Sequence, residues 1–463
     1  MLESALAKIL GYGVFWSSDT RQRFRTGVRA RIRNLKKFIF CSSLKTVPRS
    51  QGERLVERRV SILGLPVSSG RHQRPKYRVA LLVDEFFGGW DTAIGGYGAL
   101  ARKYICKFVP NDGIEIDLLL DTHGGAEAQQ KLVDQTMLCR LPEDRKTRQE
   151  WLDQQAYNLF LSIEMTHPSF KILSEYESDT PLLYWVQDPR DLKMYQSRLQ
   201  TVNRLKDDDW AYIKDVSDWM QEMMAEKRVT FISQGESLSF IARDMYQVPA
   251  NLPMQDLPNP VEMDLDYRLN HPPKENKIIF LGRLEAQKRV WIVCEIAKLM
   301  PQYEFFILGA TGKGRNETAN ARTLEPYRNA DGSSKIPNLH FTGHVDGEIK
   351  SNHIKTARLL LNTSIWEGIP VSWLEALSYG TLIVSAFERD NIVGRFGSFV
   401  GEVMGDGTDE ASLKKFVAAI EYWMTHDLER NQTAQKGIEF VRERHSIAGF
   451  TNKMRAAILE TIP

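Results

Sequence analysis

The chain has 463 residues, of which 42% are hydrophobic and 26% charged, with a formal net charge of +2. That length exceeds what one simple core holds, and the composition is that of a folded globular chain, which excludes disordered and collagenous classes. Four scattered cysteines, with no paired or metal-like spacing, fit a reducing compartment rather than a disulfide framework.

Residues 1–75 read as a basic N-terminal extension. Its start, "MLESALAKILGYGVF", lacks a basic n-region and a cleavage site, so no signal peptide is expected. Residues 21–59 carry 13 Lys and Arg against Glu53 and Glu57, which leaves the rest of the chain net acidic. Over 24–39, helical spacing aligns Phe24, Val28, Ile32, Leu35 and Ile39 in one stripe, interrupted by Arg31. A basic amphipathic segment of this kind suits an anionic membrane surface; a helix packed on the body, or a solvated arm, is the plainer alternative. No apolar run reaches the roughly 18 residues that a membrane span needs.

Residues 76–255 form the first α/β series. "YRVALLVDEFF" opens it with a continuous apolar run, the pattern of a buried parallel strand. The glycines of "GGYG" and a helical pattern from Tyr97 to Phe108 follow, and then the strand-like "IEIDLLLD", "YNLFLSI", "PLLYWVQD" and "RVTFIS". Prolines and asparagines break the pattern over a linker at 256–275. A second series occupies 276–425, with strands in "NKIIFLGR", "EFFILGA", "NLHFTGHV", "ARLLLNTS" and "TLIVSA", and helices close the chain over 426–463. Two doubly wound domains predict a cleft at the carboxyl ends of their strands, where such sheets bind ligands.

The loops at those ends carry the chemistry. Gly282 ends the first strand of the second series, and Arg283 and Lys288 follow it, a planar fork and a point charge suited to a diphosphate. In "SIWEGIPVSWLEALSYG", Pro370 suits a helix start and Gly380 a helix stop. The amides at that helix N-terminus suit an anion, and Glu367 and Glu375 can face the same cleft and accept from hydroxyls. Gly95 and Gly96 let backbone approach a phosphate, although their spacing is not that of a dinucleotide fold. "GATGKGR" at 309–315 reads as a strand-ending turn, and the acids at 207–209 and 264–266 read as solvated loops rather than metal ligands.

In order, "FLGRLEAQK", "HFTGHV" and "SIWEGIPVSWLEALSYG", with "LPNPVEMD" between the domains, resemble the motifs of retaining glycosyltransferases of the GT-B type, family 4. The resemblance implies two Rossmann-like domains facing across a cleft, with the acceptor on the first and a nucleoside-diphosphate sugar on the second. It implies that Arg283 and Lys288 hold the diphosphate as leaving group and that Glu367, with the amides of Gly368 and Ile369, contacts the donor sugar. Glu375 would hold the ribose, His344 and Val345 would lie by the base, and Gly282, Pro370 and Val371 would line the phosphates, with Gly95 and Gly96 opposite. No metal or other cofactor is implied. Where many relatives place a histidine beside the sugar, the strand end reads "YWVQDPRD" and offers Gln187 and Asp188; His123 and His167 are the alternatives. "YWVQD" resembles rhamnosyltransferases of bacterial cell-surface polysaccharide synthesis, which implies a glycan or lipid-linked glycan acceptor. A cytoplasmic enzyme held at the inner membrane face by residues 21–59 follows. A nucleotide-sugar epimerase of the same fold, or a non-catalytic binding module, is the alternative. No nucleic-acid partner is expected, since the arm has few aromatics and the body is acidic.

Overall fold

The computed structural model describes residues 77–190, 192–202, 212–311 and 317–463. The basic segment 21–59, its expected 24–39 helix and the acids at 207–209 lie outside them.

The first sheet contains β1 (Tyr77–Leu82), β2 (Ile114–Asp121), β3 (Gln129–Val133), β4 (Thr136–Arg140), β5 (Leu159–Ile163), β6 (Leu182–Val186), β7 (Val229–Ser233) and β8 (Met254–Asp256). Their spatial order is β3-β4-β2-β1-β5-β6-β7-β8. All neighbours run parallel except the β3–β4 hairpin. Every residue of β5 and β6 is buried, because both faces of a parallel sheet are covered. The second sheet contains β9 (Lys277–Leu281), β10 (Glu304–Leu308), β11 (Leu339–Gly343), β12 (Leu359–Asn362), β13 (Leu382–Ser385) and β14 (Gly397–Phe399). It is parallel throughout, in the order β11-β10-β9-β12-β13-β14. Strand order reverses beside β1 in the first sheet and beside β9 in the second, which puts a ligand crevice at each of those carboxyl ends.

The last helix, Ile447–Thr461, returns to the first lobe. Ser446 caps it by accepting from the Gly449 amide. Its apolar face, Phe450, Met454, Ala457 and Ile458, completes the core formed by Val79, Leu81, Leu161 and Trp185. Large apolar side chains of this kind contribute about 1.5–3 kcal/mol each on full burial, so the helix is held mainly by this face. Arg455 adds hydrogen bonds to the carbonyls of Val109 (2.9 Å) and Phe108 (2.7 Å). Between the lobes, the Val261 amide donates to the His445 carbonyl at 3.0 Å. The His445 ring donates from Nδ1 to the Asn259 carbonyl at 2.7 Å. A second tie is a helix cap supplied by the opposite lobe. Asp390 accepts from the amides of Glu236 (3.0 Å) and Ser237 (2.8 Å), where the helix Glu236–Tyr246 exposes its first N–H groups.

The helical pattern after the glycine loop is more specialised than its sequence suggests. Helix Gly96–Ala99 opens into π geometry over Leu100–Ile105 before closing as Cys106–Phe108. Such wide turns concentrate at functional sites.

Candidate active site

A cavity of about 700 Å³ lies between the carboxyl ends of the two sheets. The structure brings every site residue read from the sequence to its wall: Gly95 and Gly96 from the first lobe, and Gly282, Arg283, Lys288, His344, Val345, residues 367–371 and Glu375 from the second. Gln187 and Asp188 line it too, whereas His123 and His167 do not. Gly309, Ala310 and Thr311 also reach it. The reading of "GATGKGR" as a plain turn was therefore incomplete. A Cβ on Gly309 would stand 1.9 Å from the Gly282 carbonyl oxygen, so two strand-end loops cross there with no room for a side chain.

Beyond β9, a short turn over Ala286–Lys288 presents Lys288, and Arg289 adopts a left-handed conformation (φ 46°) to start the helix Val290–Leu299. The Arg289 guanidinium is fully buried and donates to the carbonyls of Thr363 (2.8 Å), Val403 (2.6 Å), Gly405 (2.9 Å) and Ser364 (3.3 Å). Burial lowers its pKa to about 9, against the opposing pull of Asp406. Thr363 Oγ1 in turn donates to the Lys288 carbonyl at 2.7 Å. These bonds lock the Lys288 loop to the loop that carries Glu367.

Glu367 is 8% exposed; it pairs with Lys288 Nζ and accepts from Ser364 Oγ at 2.6 Å. The helix after it spans Val371–Ser378, with Pro370 as its N-cap, one position earlier than the sequence suggested. Gly380 (φ 64°) stands just past its end in the left-handed conformation that terminates helices. The amides of Val371 and Ser372 lack intrahelical partners by position, and both residues line the cavity. Glu375 pairs with Lys350 at 2.7 Å, and Lys350 also meets Asp346 at 3.2 Å. Asp346 receives Lys103 from the first lobe at 2.6 Å. Burial raises the Asp346 pKa, but the Lys103 hydrogen bond and the Lys350 charge outweigh it and hold the carboxyl at about 2.

The first lobe contributes a buried carboxylate that the sequence reading did not single out. Glu85 follows the first strand, is 5% exposed, accepts from the Gly98 amide at 2.8 Å and lies 3.6 Å from Arg283. A Cβ on Gly95 would fall 2.2 and 2.3 Å from its two carboxylate oxygens. The glycine expected to admit a phosphate therefore packs against an internal anion. Burial pushes the Glu85 pKa to about 7, with Arg283 opposing and Asp84 assisting. Glu164 was missed as well: its carboxylate accepts from the amides of Gln187 (2.9 Å) and Asp188 (2.6 Å) and from the Tyr184 hydroxyl. Burial raises its pKa. Gln187 is further fixed by Asn259 and Gln234, three buried amides that bond one another. Across the cleft, Trp366 Nε1 donates to Asp188 at 2.6 Å, and Arg190 pairs with Asp188 and donates to Gln287 at 3.1 Å.

Chemically the cavity offers cations beside a helix N-terminus, carboxylates that accept from hydroxyls, and close backbone approach from both sides. Among the described residues, no group of three or more His, Cys, Asp and Glu is arranged to hold a metal ion, and no helix is long and apolar enough to cross a membrane.

Residues 264–440 match the family model of glycosyl transferases, group 1. No curated protein matches by sequence. Among solved structures, sucrose-phosphate synthase (tll1590) from Thermosynechococcus elongatus aligns with a TM-score of 0.61 at 14% identity, over 83% of this chain and 98% of that one. Anabaena Alr3699/HepE in complex with UDP-glucose aligns at 0.56 and 11% identity, over 83% and 99%. WaaG, a glycosyltransferase involved in lipopolysaccharide biosynthesis, aligns at 0.51 and 14% identity, over 82% and 99%. The chain thus has the GT-B fold, and its second lobe matches the family model of group 1 glycosyl transferases.

Proposed function

We propose that the protein is a retaining, metal-independent glycosyltransferase of family 4, moving a hexosyl or deoxyhexosyl unit from a nucleoside-diphosphate sugar to a glycan or lipid-linked glycan. The observation that carries the reading is the convergence of Arg283, Lys288 and the Val371 helix N-terminus on one cavity that also presents Glu367 and Glu375. Negative charge grows on the departing diphosphate as the sugar becomes oxocarbenium-like. Fixed cations and backbone dipoles stabilise that charge more in the transition state than in the ground state. Lys288 leaves Glu367 for the phosphate, and Glu367 turns its freed oxygen to the sugar hydroxyls. Glu375, braced by Lys350, accepts from the ribose. Attack comes from the face the diphosphate leaves, and a diphosphate oxygen takes the acceptor proton, so configuration is retained.

The same reading places the enzyme in cell-surface polysaccharide synthesis, with rhamnose as a donor sugar to test first, in the cytoplasm and held at the inner membrane face by residues 21–59. If protein lacking those residues binds anionic vesicles as well as the full chain does, the membrane role is wrong.

A thermal-shift screen against UDP, GDP, dTDP and ADP sugars tests the donor site; one base series raises the melting temperature and the others do not. Incubating that donor alone separates transfer from epimerisation: a transferase leaves the sugar unchanged without acceptor, and an isomer appearing in the mixture refutes the transferase reading.

A further inference from the structure

Glu85 has no part in the transfer chemistry above, yet it stands where the donor's charge must go. Its carboxylate accepts from the Gly98 amide at the start of the Gly96 helix, fills the space that Gly95 leaves by having no side chain, and faces Arg283 across the cleft at 3.6 Å. It therefore occupies the Gly98 amide and shares Arg283, one of the two cations that a diphosphate needs, with Glu285, which meets the same guanidinium at 3.2 Å. We propose that Glu85 is a resident counter-anion of the donor site, which the diphosphate displaces from Arg283, and that a proton from solvent is taken up on the Glu85 carboxylate as the donor binds. This inference rests on the diphosphate reading of the cleft.

The groups facing Glu85 set the direction of the effect. Arg283 is the cation on it; Asp84 on its own strand end, Glu285 in the loop after β9 and Tyr97 on the glycine-loop helix complete its electrostatic surroundings. With Arg283 intact, the free enzyme holds Glu85 near neutrality, at about 7. When Arg283 turns to a phosphate, Glu85 loses its attraction and gains a second anion nearby, and both changes favour the protonated carboxyl. A bound-state pKa above the free-state pKa means binding tightens as pH falls and weakens as pH rises beyond about 7. The proton forms an O–H bond on the carboxylate and comes from buffer, so charge balances without another reactant.

The test is calorimetry of the full chain with ADP-, GDP-, UDP- and dTDP-glucose, whose doubly esterified diphosphates do not titrate near neutrality. Each is run at about pH 8 in two buffers of different ionisation enthalpy. The wild type takes up between about half and one proton per donor bound, and its Kd rises up to about tenfold per pH unit above neutrality. Glu85→Gln keeps an oxygen for the Gly98 amide and cannot ionise; its binding releases or takes up no proton there and its Kd is flat with pH. Binding by the wild type without proton uptake, or equal uptake in Glu85→Gln, overturns the proposal while leaving the diphosphate site standing. No binding by any of the four removes the diphosphate reading and this inference together.

Discussion

Gly368 is the point where the two lobes touch with least tolerance. A Cβ at this position would stand 2.1 Å from the Gln187 carbonyl oxygen and 2.7 Å from Gln234 Nε2. Neither neighbour is free to retreat. The Gln187 amide is held by Glu164 at 2.9 Å, its side chain by Asn259 at 2.9 Å, and its carbonyl accepts from Gln234. On the other side, Glu367 is held by Lys288 and Ser364, and Trp366 by Asp188. Gly368→Ala must therefore part the lobes locally by roughly 1 Å. Overpacking of this kind costs about 1–3 kcal/mol, and losing the Trp366 hydrogen bond to a carboxylate costs about 1.5–3 kcal/mol more. A net penalty of about 3 kcal/mol on the closed arrangement weakens donor binding and turnover about 100-fold. The assays are the donor Kd by calorimetry and steady-state turnover. Gly96→Ala, whose Cβ meets nothing within 4 Å, is the control and keeps wild-type thermal stability. A Gly368→Ala protein that binds donor within twofold of wild type refutes the reasoning, because the steric contact would then govern nothing.

Arg289→Met strands the carbonyls that the guanidinium holds, and a loss of about 1–3 kcal/mol in urea unfolding is expected; no measurable loss, within about 0.5 kcal/mol, contradicts its role as a staple. Gly95→Ala pushes the Glu85 carboxylate off the Gly98 amide, at about 1.5–3 kcal/mol. Combining it with Glu85→Ala should cost clearly less than the sum of the two, and strict additivity in the double-mutant cycle argues against the contact. His445 is buried neutral, and burial lowers its pKa from 6.5 to about 4. The unfolded chain then binds the extra proton, so His445 stabilises fully above pH 6.5 and loses about 3 kcal/mol as pH falls to about 4. The difference between wild type and His445→Gln should shrink by that amount across this window, and a constant difference rules it out.

The legible part of the fold was its buried parallel strands, because a strand covered on both faces reads as an unbroken apolar run, as in "LLYWV" and "LLLN". The β3–β4 hairpin escaped because Gln129–Val133 lies partly in solvent and its residues read as polar. β8 and β14 are three residues each, too short for periodicity to register. In the site, Arg283, Lys288, Glu367 and Glu375 were legible from the loop motifs that carry them. Their pairing was not, since Lys103 and Asp346 meet across 243 residues of sequence and Lys288 and Glu367 across 79. Glu85 was within reach: an acid directly after the first apolar strand, with a glycine ten residues on, carries the signal. What the sequence could not supply is that the glycine packs on the acid.

The central claim, that Arg283 and Lys288 hold a diphosphate, is tested most directly by comparing a nucleoside with its diphosphate on three proteins. Binding of the preferred nucleoside and of its diphosphate is measured for wild type, Arg283→Ala and Lys288→Ala. The account predicts that each variant weakens diphosphate binding about 10- to 100-fold, through loss of a charge-assisted contact of about 1.5–3 kcal/mol, and leaves nucleoside binding within twofold. Unchanged diphosphate affinity in both variants, or an equal loss for the bare nucleoside, contradicts it.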